Sequence, residues 1–237
     1  MSVTVNTKWL ADALISGMET HPIQSTLIVK QNTMKVVTFP FNEESMCIKN
    51  TPVDSSSEIM IQISDNVRQF IKNGSLIFKN VTLTATHDKI NIQMFNDFQA
   101  LKYQLPISRT TDIDVPPSPS DTSLEVCDGR GFLNCWHLFK NENVSISCTS
   151  GKALICIKGT DQKYTIFSCK NAAKKDASFK CIGSLMRIFN LLEIKNETDS
   201  PSNTENMTCP ATIFVTFMES GVLAVKCSED KILIAPK

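Results

Sequence analysis

The segment 108–121, Ser-Arg-Thr-Thr-Asp-Ile-Asp-Val-Pro-Pro-Ser-Pro-Ser-Asp, constrains this chain more than any other stretch. Its three prolines remove backbone donors and hold the chain extended, so it reads as a semi-rigid, exposed connector. It parts the 237 residues into two nearly equal pieces, 1–107 and 122–237. Near-equal pieces make an internal repeat the first thing to look for.

The hydrophobic pattern supplies one. Each half is expected to open with a strand and then a helix. Val5–Met18 carries Trp9, Leu10, Ala13, Leu14 and Met18 at helical spacing, and Gly129–Lys140 carries Phe132, Cys135, Trp136 and Phe139. Alternating strands follow: Leu27, Val29, Met34 and Val36 in the first half, and Val144, Ile146, Cys148, Leu154 and Cys156 around a Ser150-Gly151 turn in the second. A second helix is expected in each half. Ser64-Asp65 would cap Asn66–Asn73, with Val67, Phe70 and Ile71 on one face. Phe179–Ile194 would turn Ile182, Leu185, Met186 and Phe189 inward. Further strands are expected at Ser75–Phe78, Val81–Thr86, Lys89–Phe95 and Gln99–Leu105, then at Ala211–Met218, Val222–Cys227 and Ile232–Ile234. The unit is strand–helix–strands, used four times, and helices against mainly antiparallel sheets make the fold α+β.

Composition narrows the function classes. Hydrophobic residues make up 42% of the chain, which excludes a disordered polymer, and the longest apolar run, Ala153–Ile157, is far too short to span a membrane. Twenty-four basic residues balance twenty-four acidic ones, so any polyanion site must come from sorting charge onto one face. Nine cysteines, an odd number without a CxxC pair, argue against both a disulfide framework and a zinc knuckle. No metal or other cofactor is expected. The N-terminus has no apolar leader, so the five N-x-S/T sequons read as chance, and the expected compartment is reducing, cytosol or nucleus.

Charge is sorted along the expected helices. Arg68 and Lys72 stand four apart on the second, Lys180, Ser184 and Arg187 share a stripe on the fourth, and Arg130, Asn134, His137 and Lys140 or Asn141 share one on the third. The first helix contributes Lys8, accompanied by Asp12 and Glu19. Such stripes are either plain solvated faces or a surface that attracts phosphates without reading sequence. Enzyme chemistry finds no foothold. His21, His87 and His137 sit in unrelated contexts, Asp112 and Asp114 lie on a poor catalytic scaffold, and Gly129-Arg130-Gly131 is better read as a helix-initiating turn than as a phosphate cradle.

Three local motifs carry a family resemblance. The tail Lys231-Ile232-Leu233-Ile234-Ala235-Pro236-Lys237 resembles the K-x-Y-L-A-P-K ending of DNA sliding clamps of the proliferating cell nuclear antigen type. The stretch from Tyr103 to Val115 resembles that family's tyrosine-bearing strand leading into a D-[IL]-D-V connector, here Asp112-Ile113-Asp114-Val115. Val144-Ser145-Ile146-Ser147-Cys148 resembles its V-x-I-S-C strand. The resemblance implies two tandem, similar domains of the processivity fold, with antiparallel sheets outside and four helices lining a concave face. It implies chains closing head to tail around duplex DNA to tether a DNA polymerase, with no bond made or broken. Two domains per chain in a six-unit circle give a homotrimer, loaded onto DNA by a clamp loader and working in the nucleus or in a viral replication compartment. A subunit of a heterotrimeric checkpoint clamp, or a viral processivity factor that binds DNA without closing a ring, stays open as an alternative.

Site residues follow from the same resemblance. Lys8, Arg68, Lys72, Arg130, His137, Lys140, Lys180 and Arg187 would meet DNA. Ring closure would join strand Gln99–Leu105 of one chain to Lys163–Cys169 of the next, through Tyr103, Leu105, Ile166 and Phe167, unless both prove to be interior strands. A partner-peptide groove would comprise Ile113, Val115, Ile234, Ala235 and Pro236. The sequence departs from the family there: Pro-Pro-Ser-Pro-Ser follows Val115, and Leu233 stands where the family has tyrosine.

Overall fold

The computed structural model describes residues 2–15, 24–39, 45–55, 58–86, 89–106, 118–192, 212–227 and 230–234. Two compact units emerge, Met1–Val115 and Pro116–Lys237, and the division between them falls within the proline-rich segment. Most of that segment lies outside the described residues. Among the described residues no helix is long and apolar enough to cross a membrane.

The first unit runs β1 (Ser2–Asn6), α1 (Thr7–Ile15), β2 (Gln24–Lys30), β3 (Thr33–Phe39), β4 (Ser45–Pro52), then β5 (Ile59–Ile63), α2 (Asp65–Ser75), β6 (Asn80–Ala85), β7 (Lys89–Phe95) and β8 (Ala100–Pro106). Strand, helix and three strands thus occur twice. The leading strands are exchanged: β1 pairs antiparallel with β6 at the head of β6-β7-β8, while β5 pairs with β2 at the head of β2-β3-β4. One continuous core, including Val3, Leu10, Leu14, Leu27, Ile71 and Ile92, draws on both sheets and both helices.

Local chemistry explains the helices. Asn6 ends β1 and caps α1, its side-chain oxygen accepting from the Trp9 amide at 3.0 Å. Leu10, Ala13 and Leu14 are buried and Trp9 packs at the core's margin, as the helical spacing requires. Val5, expected inside the helix, belongs to β1 instead. In α2, Val67 and Ile71 are buried and Phe70 lies at the core's margin, its ring 4.8 Å from that of Tyr103.

The second unit repeats the pattern: β9 (Thr122–Val126), α3 (Gly129–Asn134) with a 3-10 turn at Cys135–Leu138, β10 (Asn143–Cys148), β11 (Leu154–Lys158) and β12 (Tyr164–Ser168). Then come β13 (Ala177–Ile182), a 3-10 segment at Gly183–Leu191, β14 (Ile213–Phe217), β15 (Leu223–Cys227) and β16 (Asp230–Ile234). The exchange recurs, with β13 completing β10-β11-β12 and β9 completing β14-β15-β16. Phe132 anchors this core, edge-on to Phe167 at 5.3 Å and stacked on Phe189 at 5.6 Å. Asp128 caps α3, accepting from the Gly131 amide at 2.8 Å, so the Gly129–Gly131 turn starts a helix and that amide is already used.

Several expectations need correction. Ser75–Phe78 is the end of α2 and a turn rather than a strand, and β4 and β5 are strands beyond those expected. In β11 it is Ile155 and Ile157 that face inward, not Leu154 and Cys156, because the loop at Gly151, with φ of +74°, shifts the phase by one. The third helix is α-helical only to Asn134. The fourth is the largest departure: 177–182 is a strand, placing Phe179 and Cys181 inward and Lys180 and Ile182 outward. The helical segment begins at Gly183, whose amide donates to the Glu142 carbonyl at 2.7 Å. A β-carbon there would lie 1.8 Å from the Phe139 carbonyl oxygen, so the strand can turn into the 3-10 segment only at glycine. Gly183→Ala should therefore lower unfolding stability by about 2–4 kcal/mol, read as a fall in the urea midpoint with the slope unchanged.

Candidate nucleic-acid interface

The cations read as DNA-contacting divide into three groups. In the first unit Lys8 on α1 and Lys72 on α2 are exposed, and the two helices pack on each other. In the second unit Arg130 on α3, His137 in the following turn, Lys140 just beyond it and Arg187 in the later 3-10 segment are exposed, and that segment packs against α3. His137 stacks on its neighbour Trp136 with ring centroids 3.8 Å apart. Each helical layer thus carries cations at its surface, in a protein whose net charge is zero.

Arg68 is not among them. It is 3% exposed, and its guanidinium donates to Ser25 Oγ at 3.1 Å and to the Ile63 carbonyl at 3.3 Å, and pairs with Asp65. Ser25 in turn donates to the Leu14 carbonyl at 3.5 Å, so one side chain ties α2 to β2 and the end of α1. Burial pulls the Arg68 pKa below its ordinary value. The i, i+4 spacing from Lys72 suggested one outward stripe, but α2 rotates position 68 toward Val67 and Ile71. Lys180 is the second correction. It stands on β13, with its side chain on the sheet face opposite Phe179 and Cys181, and shares no helical stripe with Ser184 and Arg187.

The strands named for ring closure are both sheet edges. β8 ends the order β1-β6-β7-β8 and β12 ends the order β12-β11-β10-β13, so each has an open side, except at the end of β12, where the Ser168 carbonyl accepts from the Cys127 amide at 2.9 Å. Tyr103 and Leu105 on β8 are half-buried against their own unit's core. Ile166 is 52% exposed, whereas Phe167 is buried against Phe132. Of the groove residues, Ile234 is wholly buried on β16, and Ile113, Val115, Ala235 and Pro236 lie outside the described residues.

Six of the described cysteines are buried and behave as small hydrophobes, while Cys127 is exposed. Burial pushes the Cys135 thiol up to about 12 and the Cys169 thiol up to about 11, and raises Cys148 as well. Among the described residues no group of three or more His, Cys, Asp or Glu side chains gathers where it could hold a metal.

No protein-family model and no curated protein sequence matches the chain. Solved structures do. The chain superposes over its full length on the PCNA of Thermococcus kodakaraensis, covering 99% of that protein at 14% identity with a TM-score of 0.65. It matches the DNA polymerase sliding clamp of Bacillus subtilis at 13% identity, covering 64% of it with a TM-score of 0.68. It also matches the Helicobacter pylori beta clamp bound to a DNA ligase peptide, at 13% identity, covering 66% of it with a TM-score of 0.66. The chain spans about two thirds of the length of the bacterial clamps and the whole of the archaeal one. It has the fold of the DNA sliding clamps, in a divergent form.

Arg68→Ala should lower unfolding stability by about 2–3 kcal/mol, the scale of lost hydrogen bonds to a charged group. The same variant should leave the salt dependence of duplex binding where it was, measured by anisotropy on labelled DNA.

Proposed function

We propose that this chain is a sliding clamp, a non-enzymatic processivity factor that closes into a ring around duplex DNA and tethers a DNA polymerase. One observation carries the proposal. The strand–helix–three-strand repeat occurs four times, paired by exchanged leading strands into two similar units, and this arrangement matches clamp structures along the whole chain.

Two further features support it. β8 and, before Ser168, β12 are open sheet edges, and an edge in one copy can extend the sheet of another by ordinary backbone pairing. Head-to-tail contacts of that kind close when the rotation per copy divides the circle, and two units per chain in a six-unit ring give three chains. Exposed Lys8, Lys72, Arg130, Lys140 and Arg187 on the helical layers supply attraction to phosphates that is blind to sequence. A tether needs nothing stronger, because topology prevents escape while weak contacts permit sliding. Such a ring must be opened to admit DNA, the task of a loader. The partner groove would take a peptide from a polymerase, or from a ligase as in the Helicobacter pylori beta clamp structure. The eight described cysteines are free thiols, which suits a reducing compartment such as the nucleus or a viral replication site.

The native mass in solution should be three times that of the chain; a persistent monomer would instead fit a subunit of a heterotrimeric clamp or an open, ring-free factor. Ile166→Lys on the β12 edge should convert the assembly to monomers while the circular dichroism spectrum stays unchanged. Lys72→Ala combined with Arg187→Ala should reduce the slope of log affinity against log salt by about 2. An unaltered slope would remove the helical layers from the DNA interface.

A further inference from the structure

The face of the β12-β11-β10-β13 sheet that turns away from Phe132 and the helical segments holds a second cationic site. The strand register builds it. Ser145 on the third strand is paired with Lys158 on one side and Lys180 on the other, and Lys158 is paired in turn with Tyr164. Cross-strand partners point to the same face at about 5 Å between α-carbons, so two lysines flank one small hydroxyl side chain in a straight row. In the neighbouring row Asn143 is paired with Ile182, which follows Lys180 by two residues and shares its face. Lys158, Ser145, Lys180, Asn143 and Ile182 line a concavity of about 500 Å³.

Charge on this face is unbalanced. Three lysines elsewhere on the same unit are matched: Lys163 with Glu142 at 2.7 Å, Lys175 with Glu219 at 2.7 Å, and Lys170 with Glu125. Lys158 and Lys180 have no ion-pair partner among the described residues, and no carboxylate stands in either row. The carboxylate next along the chain, Glu142, is held by Lys163 and kept below the usual carboxylate range by that bond. The face is apolar as well as cationic: Tyr164, in the lysine row, is 67% exposed and Ile182, in the neighbouring row, is 38% exposed. Two ammonium groups over a small hydroxyl accept a carboxylate, and an adjacent isoleucine and tyrosine accept an apolar side chain. A bare phosphate backbone would use the cations and leave the apolar part idle.

We propose that this sheet face is a docking site for an acidic peptide segment of a protein partner. A carboxylate seats between Lys158 and Lys180 above Ser145, and a neighbouring apolar side chain packs on Ile182. The site lies on the side of its sheet opposite the helical layer, so it stands whether or not the chain encircles DNA.

The test is fluorescence anisotropy with a labelled peptide of repeated Asp-Glu-Leu-Asp, titrated with the full chain, against a Lys-Lys-Leu-Lys repeat and oligothymidylate. The acidic peptide should bind and the basic one should not. Lys158→Glu combined with Lys180→Glu should weaken acidic-peptide binding by at least about tenfold. Ser145→Asp, which supplies the carboxylate from within, should do the same, with thermal unfolding and native mass unchanged in both. Equal binding by either variant, or no binding by the native chain, would overturn the proposal. So would oligothymidylate whose binding is abolished by these substitutions while that of the acidic peptide is not.

Discussion

Each strand–helix–three-strand repeat leaves its first strand without a place in its own meander, and everything else in the structure depends on how that strand is used. β1 completes β6-β7-β8 and β5 completes β2-β3-β4, with β9 and β13 doing the same in the second unit. A three-strand meander covered by one helix has too little apolar area to hold itself together. Exchange joins two such meanders through chain connectivity, so both helices and both sheets share one core. Buried Arg68 reinforces that join, since its partners Ser25 and Ile63 belong to neighbouring strands and Ser25 reaches the end of α1.

The same topology sorts side chains into distinct environments. In the β12-β11-β10-β13 sheet one face lies against the helical layer and is apolar, and the other is exposed. β13 shows how sharply this works, with Phe179 and Cys181 in the core and Lys180 and Ile182 on the open face. A sheet also has to end somewhere, and β8 and β12 are two of the end strands where unpaired backbone remains. Cationic helical surfaces, open edges and an amphipathic sheet face are therefore three products of one arrangement, available to a polyanion, a second copy and a protein partner respectively.

Much of this was legible in the residues. The proline-rich segment, the helical spacing of Leu10, Ala13 and Leu14, and the alternation of Leu27, Val29, Met34 and Val36 mark boundaries and element types directly, because backbone restriction and side-chain period act locally. Other parts were not. Lys180 and Arg187 are seven apart, which suits a helical stripe, but the turn at Gly183 separates them into a strand and a 3-10 segment. Leu154 and Cys156 alternate as well as Ile155 and Ile157 do, so period alone cannot choose the buried pair. Lys158 and Lys180 are far apart in sequence, and no local pattern could bring them to the two sides of Ser145.

By itself the sequence determined two units of repeated design, mixed helix and antiparallel sheet, and a surface with no net charge to spare, since composition, proline placement and periodicity are properties of neighbours along the chain. Tertiary structure alone decided which sheet each leading strand joins, which of Arg68 and Lys72 on α2 is buried, and that Lys158 of β11 and Lys180 of β13 flank Ser145 of β10. Those outcomes depend on strand register and on the rotation of a helix against its core, and both are settled by packing among residues distant in sequence.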